Sequence, residues 1–176
     1  NNVIGPGGAR ELLWIERQEG YIANFLQSYN FQEGEVMIVY SHGGLNAAPI
    51  EAAMYAKERG LKVIVITSGE NYAKATANHS SGKKLGDLAD ILIDNCCPLE
   101  DALVPIPGYY QKVGASSTVS VITISQTIAS ETALLLQQKG HKMYIFVSPN
   151  VVEVPKDYMH EVYANYRDLV FKNSNM

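Results

Sequence analysis

Four short clusters of hydroxyl, amide and imidazole side chains are the residues whose types and spacing could do chemistry. They are Ser41-His42-Gly43-Gly44-Leu45-Asn46, Thr67-Ser68, His79-Ser80-Ser81-Gly82-Lys83, and Ser116-Ser117-Thr118. Paired glycines supply the unusual backbone angles of a sharp turn, and Asn46 with Pro49 has the composition of a helix start. A turn of this kind aims free N–H groups, hydroxyls and the positive end of a helix dipole at one place. That place favours an anion, most often a phosphate. Taken singly, each cluster reads more simply as an N-cap or a strand end. Three at one edge of a sheet favour the anion site instead, because hydroxyls and amides converging from separate segments suit the several oxygens of a phosphate monoester.

The elements that must position these clusters follow from the hydrophobic pattern. Val36–Tyr40 is a short apolar run expected to be a strand covered on both faces. A helix follows to about Arg59, ended by Gly60, and Leu61–Thr67 is a second buried strand. Strand, helix and strand in so short a span make a βαβ unit and hence a parallel sheet. Leu85–Asp90 predicts a short helix before a third strand at Ile91–Asp94, and Leu103-Val104 a small edge strand. Earlier in the chain, Ala9–Tyr29 has helical periodicity broken at Gly20, with Trp14 and Tyr21 expected to be packing residues. Thr118–Lys139 is the longest helix, apolar on several sides and so expected to be central or oligomer-facing. Met143–Val147 is predicted as a fourth strand and Tyr158–Val170 as a last helix, with loop at Asn1–Gly8 and an unstructured tail at Lys172–Met176. Parallel strands place their C-terminal ends on one edge, where ligands bind, and the turns after the first two strands fall there.

Composition narrows the class. The 176 residues fit one domain, residues 1–176, with 47% hydrophobic and 18% charged residues. A net charge of −4 and a pI near 5.5, with no basic cluster beyond Lys83-Lys84, argue against a nucleic-acid surface. No run is expected to span a membrane, since Ser120, Thr123, Ser125, Gln126 and Thr127 interrupt the long helix. Cys96 and Cys97 are adjacent, a poor arrangement for a disulfide or a metal site. They read as buried reduced thiols, which fits the cytoplasm. No metal and no cofactor is expected. A dinucleotide site would need G-x-G-x-x-G after a strand, and Ser41–Asn46 lacks that spacing; a Walker A loop is absent too.

With these residues in place, the sequence resembles the SIS family, the sugar isomerase domain that binds phosphosugars. The family signature is a strand ending in S-x-S-G-x-[TN], a second ending in a Ser/Thr pair, and a later S-S-T opening a helix. Ser41–Asn46, Thr67-Ser68 and Ser116–Thr118 match it. The runs N-A-A-P-I-E, K-E-R-G-L-K-V-I, H-S-S-G-K and I-D-N-C, starting at Asn46, Lys57, His79 and Ile93, are similar to a bacterial subgroup of SIS proteins described as phosphosugar-binding. The likeness runs from about Arg10 to Asp168. It implies a three-layer α/β/α sandwich on a parallel, flavodoxin-like sheet, a dimer or larger homo-oligomer, and a small sugar phosphate as ligand. It also implies an earlier helix and a first βα unit, for which no counterpart precedes Asn1. Gly43 stands where the family motif has its second serine, so one phosphate-facing hydroxyl is replaced by a backbone N–H.

Isomerisation of a sugar needs a base between neighbouring carbons and an acid at the carbonyl. His42, Glu51, His79, Lys83 and Lys112 are the candidates, and no pair among them stands out, so catalytic residues stay unassigned. The expected phosphosugar site is Ser41, His42, Gly43, Gly44, Asn46, Thr67, Ser68, His79, Ser81, Lys83, Ser116, Ser117 and Thr118. Three functions are compatible with it: an isomerase-like enzyme (an ether-cleaving lyase being the lesser variant), a non-catalytic sensor or accessory subunit, and a nucleotide-binding module. On the first two, Ser41→Ala and Ser68→Ala should each weaken sugar-phosphate binding by about 1–3 kcal/mol.

Overall fold

The computed structural model describes residues 8–148, 150 and 153–173. The chain divides into two compact units, Asn1–Gln27 with Phe31–Ile124, and Ser28–Asn30 with Ser125–Met176. The first holds a three-stranded parallel sheet and all four polar clusters.

That sheet runs β1 (Val36–Tyr40), β2 (Lys62–Thr67), β3 (Ile91–Asp94), in that order, with Val39 opposite Val65 and Ile66 opposite Ile93. Consecutive neighbours are what one arm of a flavodoxin-like sheet has. β2 is the strand covered on both faces: Val63, Val65, Ile66 and Thr67 are all buried. β1 is not, contrary to expectation. It lies at the margin of the described sheet, with Val39 buried while Val36 and Tyr40 are exposed. Continuous apolar sequence does not by itself say which strand has neighbours on each side.

The crossover helix α3 (Ala47–Glu58) packs Ile50, Ala53 and Ala56 onto Val39, Val63, Val65 and Leu61, and Leu85 and Leu88 from a 3-10 turn (Leu85–Leu88) complete that core. Small alanines let α3 approach the sheet closely, and Ile50 fills the gap with no exposed surface. Before the sheet, α1 (Ala9–Ile15) and α2 (Tyr21–Leu26) are separated at Gly20, whose φ of 81° is the left-handed conformation glycine adopts without strain. Trp14 does not pack as expected; it is exposed, because α1 presents that face outward.

A short helix, α4 (Gly69–Lys74), follows β2 directly. Ser68 starts it as N-cap, and Lys84 closes it by donating to the carbonyls of Tyr72 and Ala75. The Leu103-Val104 strand is β4 (Ala102–Pro105), and it pairs antiparallel with β5 (Lys112–Ala115) in a hairpin. Cys97 is buried as expected, but Cys96 is exposed.

α5 (Ser117–Gln138) has no buried residue, so it is not the central helix its apolar pattern suggested. By length and composition alone it could cross a membrane, despite the polar residues that interrupt it; Glu131 is its only charge. In the second unit, α6 (Tyr158–Asn173) buries Val162 and sets Tyr163 and Tyr166 edge-on to Phe146. Met143–Val147 forms no strand. Its Ile145 N–H and C=O both meet the Tyr158 hydroxyl, so a side chain takes the bonds that a neighbouring strand would have made. α6 continues through Asn173, and the rest of the expected tail, like most of Asn1–Gly8, lies outside the described residues.

Candidate functional site

The Ser41–Asn46 turn carries the chain from β1 into α3. Gly44 has φ +63°, and a Cβ there would lie 3.0 Å from Thr67 Oγ1, so both conformation and space call for glycine. Ser41 Oγ accepts from Gly44 N–H at 3.1 Å, which folds the turn onto itself. Gly43 has open space where a side chain would be. Among the described residues, the backbone N–H groups of Gly43, Leu45, Asn46 and Ala47 meet no protein acceptor. Asn46 occupies the N-cap position but does not cap; its amide donates to Glu16 Oε1 at 2.7 Å, while Ala48 N–H donates to the Glu16 carbonyl. The start of α3 is therefore tied to the end of α1 and leaves its outer N–H groups available to an anion.

The second and fourth clusters do reach this edge of the sheet, but with the hydroxyls of Thr67, Ser68, Ser116 and Ser117 engaged. Thr67 Oγ1 donates to the His42 carbonyl, which also accepts Ser68 N–H. Ser68 is fully buried, donating from Oγ to the Cys97 carbonyl at 2.8 Å and accepting Asn71 N–H. His42 Nε2 lies 3.1 Å from Asn71 Nδ2 and 3.3 Å from the Leu99 carbonyl, while its Nδ1 is buried with no partner among the described residues.

At the start of α5 an internal carboxylate occupies the anion position. Asp101, at φ 68°, accepts Ser117 N–H at 2.6 Å and Ser117 Oγ at 2.8 Å, and its side chain and carbonyl both accept from Ser116 Oγ. Burial pushes the Asp101 carboxyl up, but the Ser117 N–H and hydroxyl, nearby His42 and Ser116 together hold it below its usual value. Thr118 is exposed beside them. Nothing in the sequence around Asp101 announced it, because its role depends on a loop folding back across fifteen residues.

The third cluster leads to a different place. Arg17, Glu19, Leu45, Asn46, Ala47, Asn78 and His79 line a pocket of about 180 Å³ directly at the start of α3. Arg17 is exposed and, among the described residues, its guanidinium has no carboxylate partner. His79 is held by Ser81, whose Oγ sits 2.8 Å from Nδ1 and whose N–H donates to the same nitrogen. Ser81 Oγ also accepts Lys83 N–H, so Ser81 shapes the loop, and Lys83 itself is exposed. Glu19 accepts both the Ser80 hydroxyl and the Ser80 N–H; these bonds, with a contribution from His79, keep its carboxyl below the ordinary value. Arg17 and Glu19 were missed in the sequence because helical spacing around Gly20 reads as packing; only the contact of this segment with α3 reveals them.

Comparison with known proteins now adds to this geometry. Residues 2–68 match the SIS domain family. That span contains β1, the Ser41–Asn46 turn, α3 and β2, so the resemblance carried by the motifs is borne out. Over 146 residues the chain is 39% identical to a UPF0309 protein of Caldanaerobacter subterraneus subsp. tengcongensis and 40% identical to one of Thermoanaerobacter pseudethanolicus, in each case covering 82% of this chain and 59% of the relative. A UPF0309 protein of Brucella anthropi is 39% identical over 161 residues, 92% of this chain and 64% of the relative. The chain thus spans about three-fifths of the length of these relatives. The SIS match and the parallel α/β sheet agree on the fold.

Proposed function

We propose that this chain binds a phosphorylated sugar at the C-terminal edge of its parallel sheet, with the phosphate at the start of α3. The observation that carries this reading is the set of N–H groups of Gly43, Leu45, Asn46 and Ala47, which have no protein acceptor among the described residues, beside a pocket that Arg17 also lines. A phosphate dianion there would gain several backbone donors, the helix dipole and a guanidinium, each stronger for being charge-assisted. Ser41 keeps a hydroxyl proton to offer, since its oxygen accepts from Gly44. Asn78, which lines the same pocket, is placed to meet sugar hydroxyls. The match of residues 2–68 to the SIS domain supports a phosphosugar over a nucleotide.

The activity that fits best is isomerase-like, with a non-catalytic sensor as the second reading. His42 favours the second, because its ring is engaged by Asn71 and Leu99 at the sheet edge and is not seen in the pocket lining. We further propose a homo-oligomer, in line with the exposed apolar residues Val119, Ile122, Leu134 and Leu135 of α5, and a cytoplasmic location, in line with the free thiols of Cys96 and Cys97.

Thermal-shift screening of hexose phosphates, amino-sugar phosphates and NAD tests the ligand class. A sugar phosphate should raise the melting temperature, and a response to NAD alone would overturn the reading. NMR of the bound sugar then separates enzyme from sensor by whether an isomerised product accumulates.

A further inference from the structure

One cluster beside the pocket has no role in holding a phosphate. Glu19 comes from the segment between α1 and α2, Glu51 from α3, and His79 from the loop after α4. One donor atom from each lies within 4.8 Å of the others. The His79 side chain is only 5% exposed, and its Nε2 stands 3.5 Å from Glu51 Oε1 and 3.9 Å from Glu19 Oε2 without a hydrogen bond to either. Glu51 Oε2 is likewise buried and has no partner among the described residues. Buried polar atoms are nearly always satisfied, so an unpartnered imidazole nitrogen and an unpartnered carboxylate oxygen in one cluster need an explanation.

A cation between them supplies one. A metal ion about 2.1 Å from each donor needs donor atoms roughly 3.4 Å apart, so small side-chain adjustments suffice. The donors are also oriented by the hydrogen bonds of a second layer. Ser81 Oγ faces His79 Nδ1, Ser80 N–H and hydroxyl hold Glu19, and Gly20 N–H donates to Glu51 Oε1 at 2.7 Å. Nδ1 accepts Ser81 N–H here; metal binding would put the ring proton on Nδ1, donated to Ser81 Oγ, and so leave the Nε2 lone pair facing the two carboxylates. Three protein donors leave a coordination position vacant, and the pocket of about 180 Å³ that reaches Glu19 and His79 gives access to it.

We propose that Glu19, Glu51 and His79 form a divalent transition-metal site with an open position facing this pocket. One imidazole and two carboxylates select zinc, manganese or iron over magnesium or calcium, whose sites are built from oxygen alone. The site stands apart from the phosphosugar reading, since the metal alone is the probe and no sugar enters the test.

The experiment strips the chain with a chelator, removes the chelator, and titrates ZnCl2, MnCl2 and MgCl2 by calorimetry. One zinc ion per chain is expected, with a Kd below about 10 μM and little response to magnesium. Glu51→Gln and His79→Gln should each weaken zinc binding by at least about 30-fold, an effect of the size seen when metal-site partners are removed. Cys96→Ser and His141→Gln should leave binding unchanged. X-ray absorption of the zinc form should show nitrogen and oxygen neighbours with one imidazole and no sulfur. Absence of saturable binding, binding that follows Cys96, or binding indifferent to both Glu51→Gln and His79→Gln each overturns the proposal. Unfolding curves of the metal-free variants check the fold; if His79→Gln unfolds, Glu19→Gln and Glu51→Gln carry the test.

Discussion

Two polar regions lie in the same unit, built from the same residue types, and differ in whether the protein satisfies them. Around His42, Ser68 and Asp101, nearly every donor has an acceptor within the chain: Ser68 meets Cys97, Thr67 meets His42, and Ser116 and Ser117 meet Asp101. His42 Nδ1 and Asn95 Nδ2 are the buried exceptions. At the start of α3, four N–H groups, Arg17, His79 Nε2 and Glu51 Oε2 remain without partners among the described residues. The first region ties β2, α4, β4 and α5 together, as internal hydrogen bonds do. The second holds unused binding capacity beside a pocket. A serine or histidine in a motif is therefore evidence of function only as far as its hydrogen bonds are left open.

The comparison breaks most readily at Asp101. Asp101→Ala should cost about 3 kcal/mol of stability, because several hydrogen bonds to a charged group are lost at once. Its folded-state pKa is depressed, so its stabilisation is complete above the ordinary carboxylate value and is lost as pH falls through the depressed one. Urea unfolding at neutral and acid pH should show the gap between parent and Asp101→Ala closing in acid. A gap that persists there would mean that the carboxylate does not organise the start of α5.

Arg17→Ala should do the reverse, lowering sugar-phosphate affinity by about 2 kcal/mol, the size of one charge-assisted contact, with the unfolding midpoint unmoved. Calorimetry on the ligand found by screening checks this, and unchanged affinity would move the phosphate elsewhere.

Ser68→Ala should cost about 1–2 kcal/mol in stability, since Cys97 O and Asn71 N–H lose a buried partner. The equivalent loss of ligand affinity expected from sequence should belong to Ser41→Ala instead. If Ser68→Ala weakens binding more than it weakens the fold, the two regions are not as distinct as their hydrogen bonds indicate.

The smallest effect is expected at Glu51→Gln without metal. The amide oxygen can still accept Gly20 N–H, and one of two neighbouring carboxylates loses its charge, so stability should change by no more than about 0.5 kcal/mol. A large loss would show that Glu51 is structural after all.

By itself the sequence determined the βαβ unit, the turn at Ser41–Asn46, the Gly20 break and the family, because these rest on local signals. Apolar runs, paired glycines and a helix start can be read within a dozen residues. It also named Asn46 and His79, which line the pocket at the start of α3, and Ser41, which folds the turn before it. It could not say that Ser68 and Ser117 would spend their hydroxyls on Cys97 and Asp101, since those partners arrive from loops 29 and 16 residues away. Nor could it show that β1 has an exposed margin, that Met143–Val147 takes its hydrogen bonds from Tyr158, or that no residue of α5 is buried. An apolar residue reports that it can be buried, and only the tertiary structure supplies the neighbour that buries it. The cluster of Glu19, Glu51 and His79 belongs wholly to that second level: three residues spread over sixty positions meet because α3 packs on the sheet and the loop after α4 returns to its start.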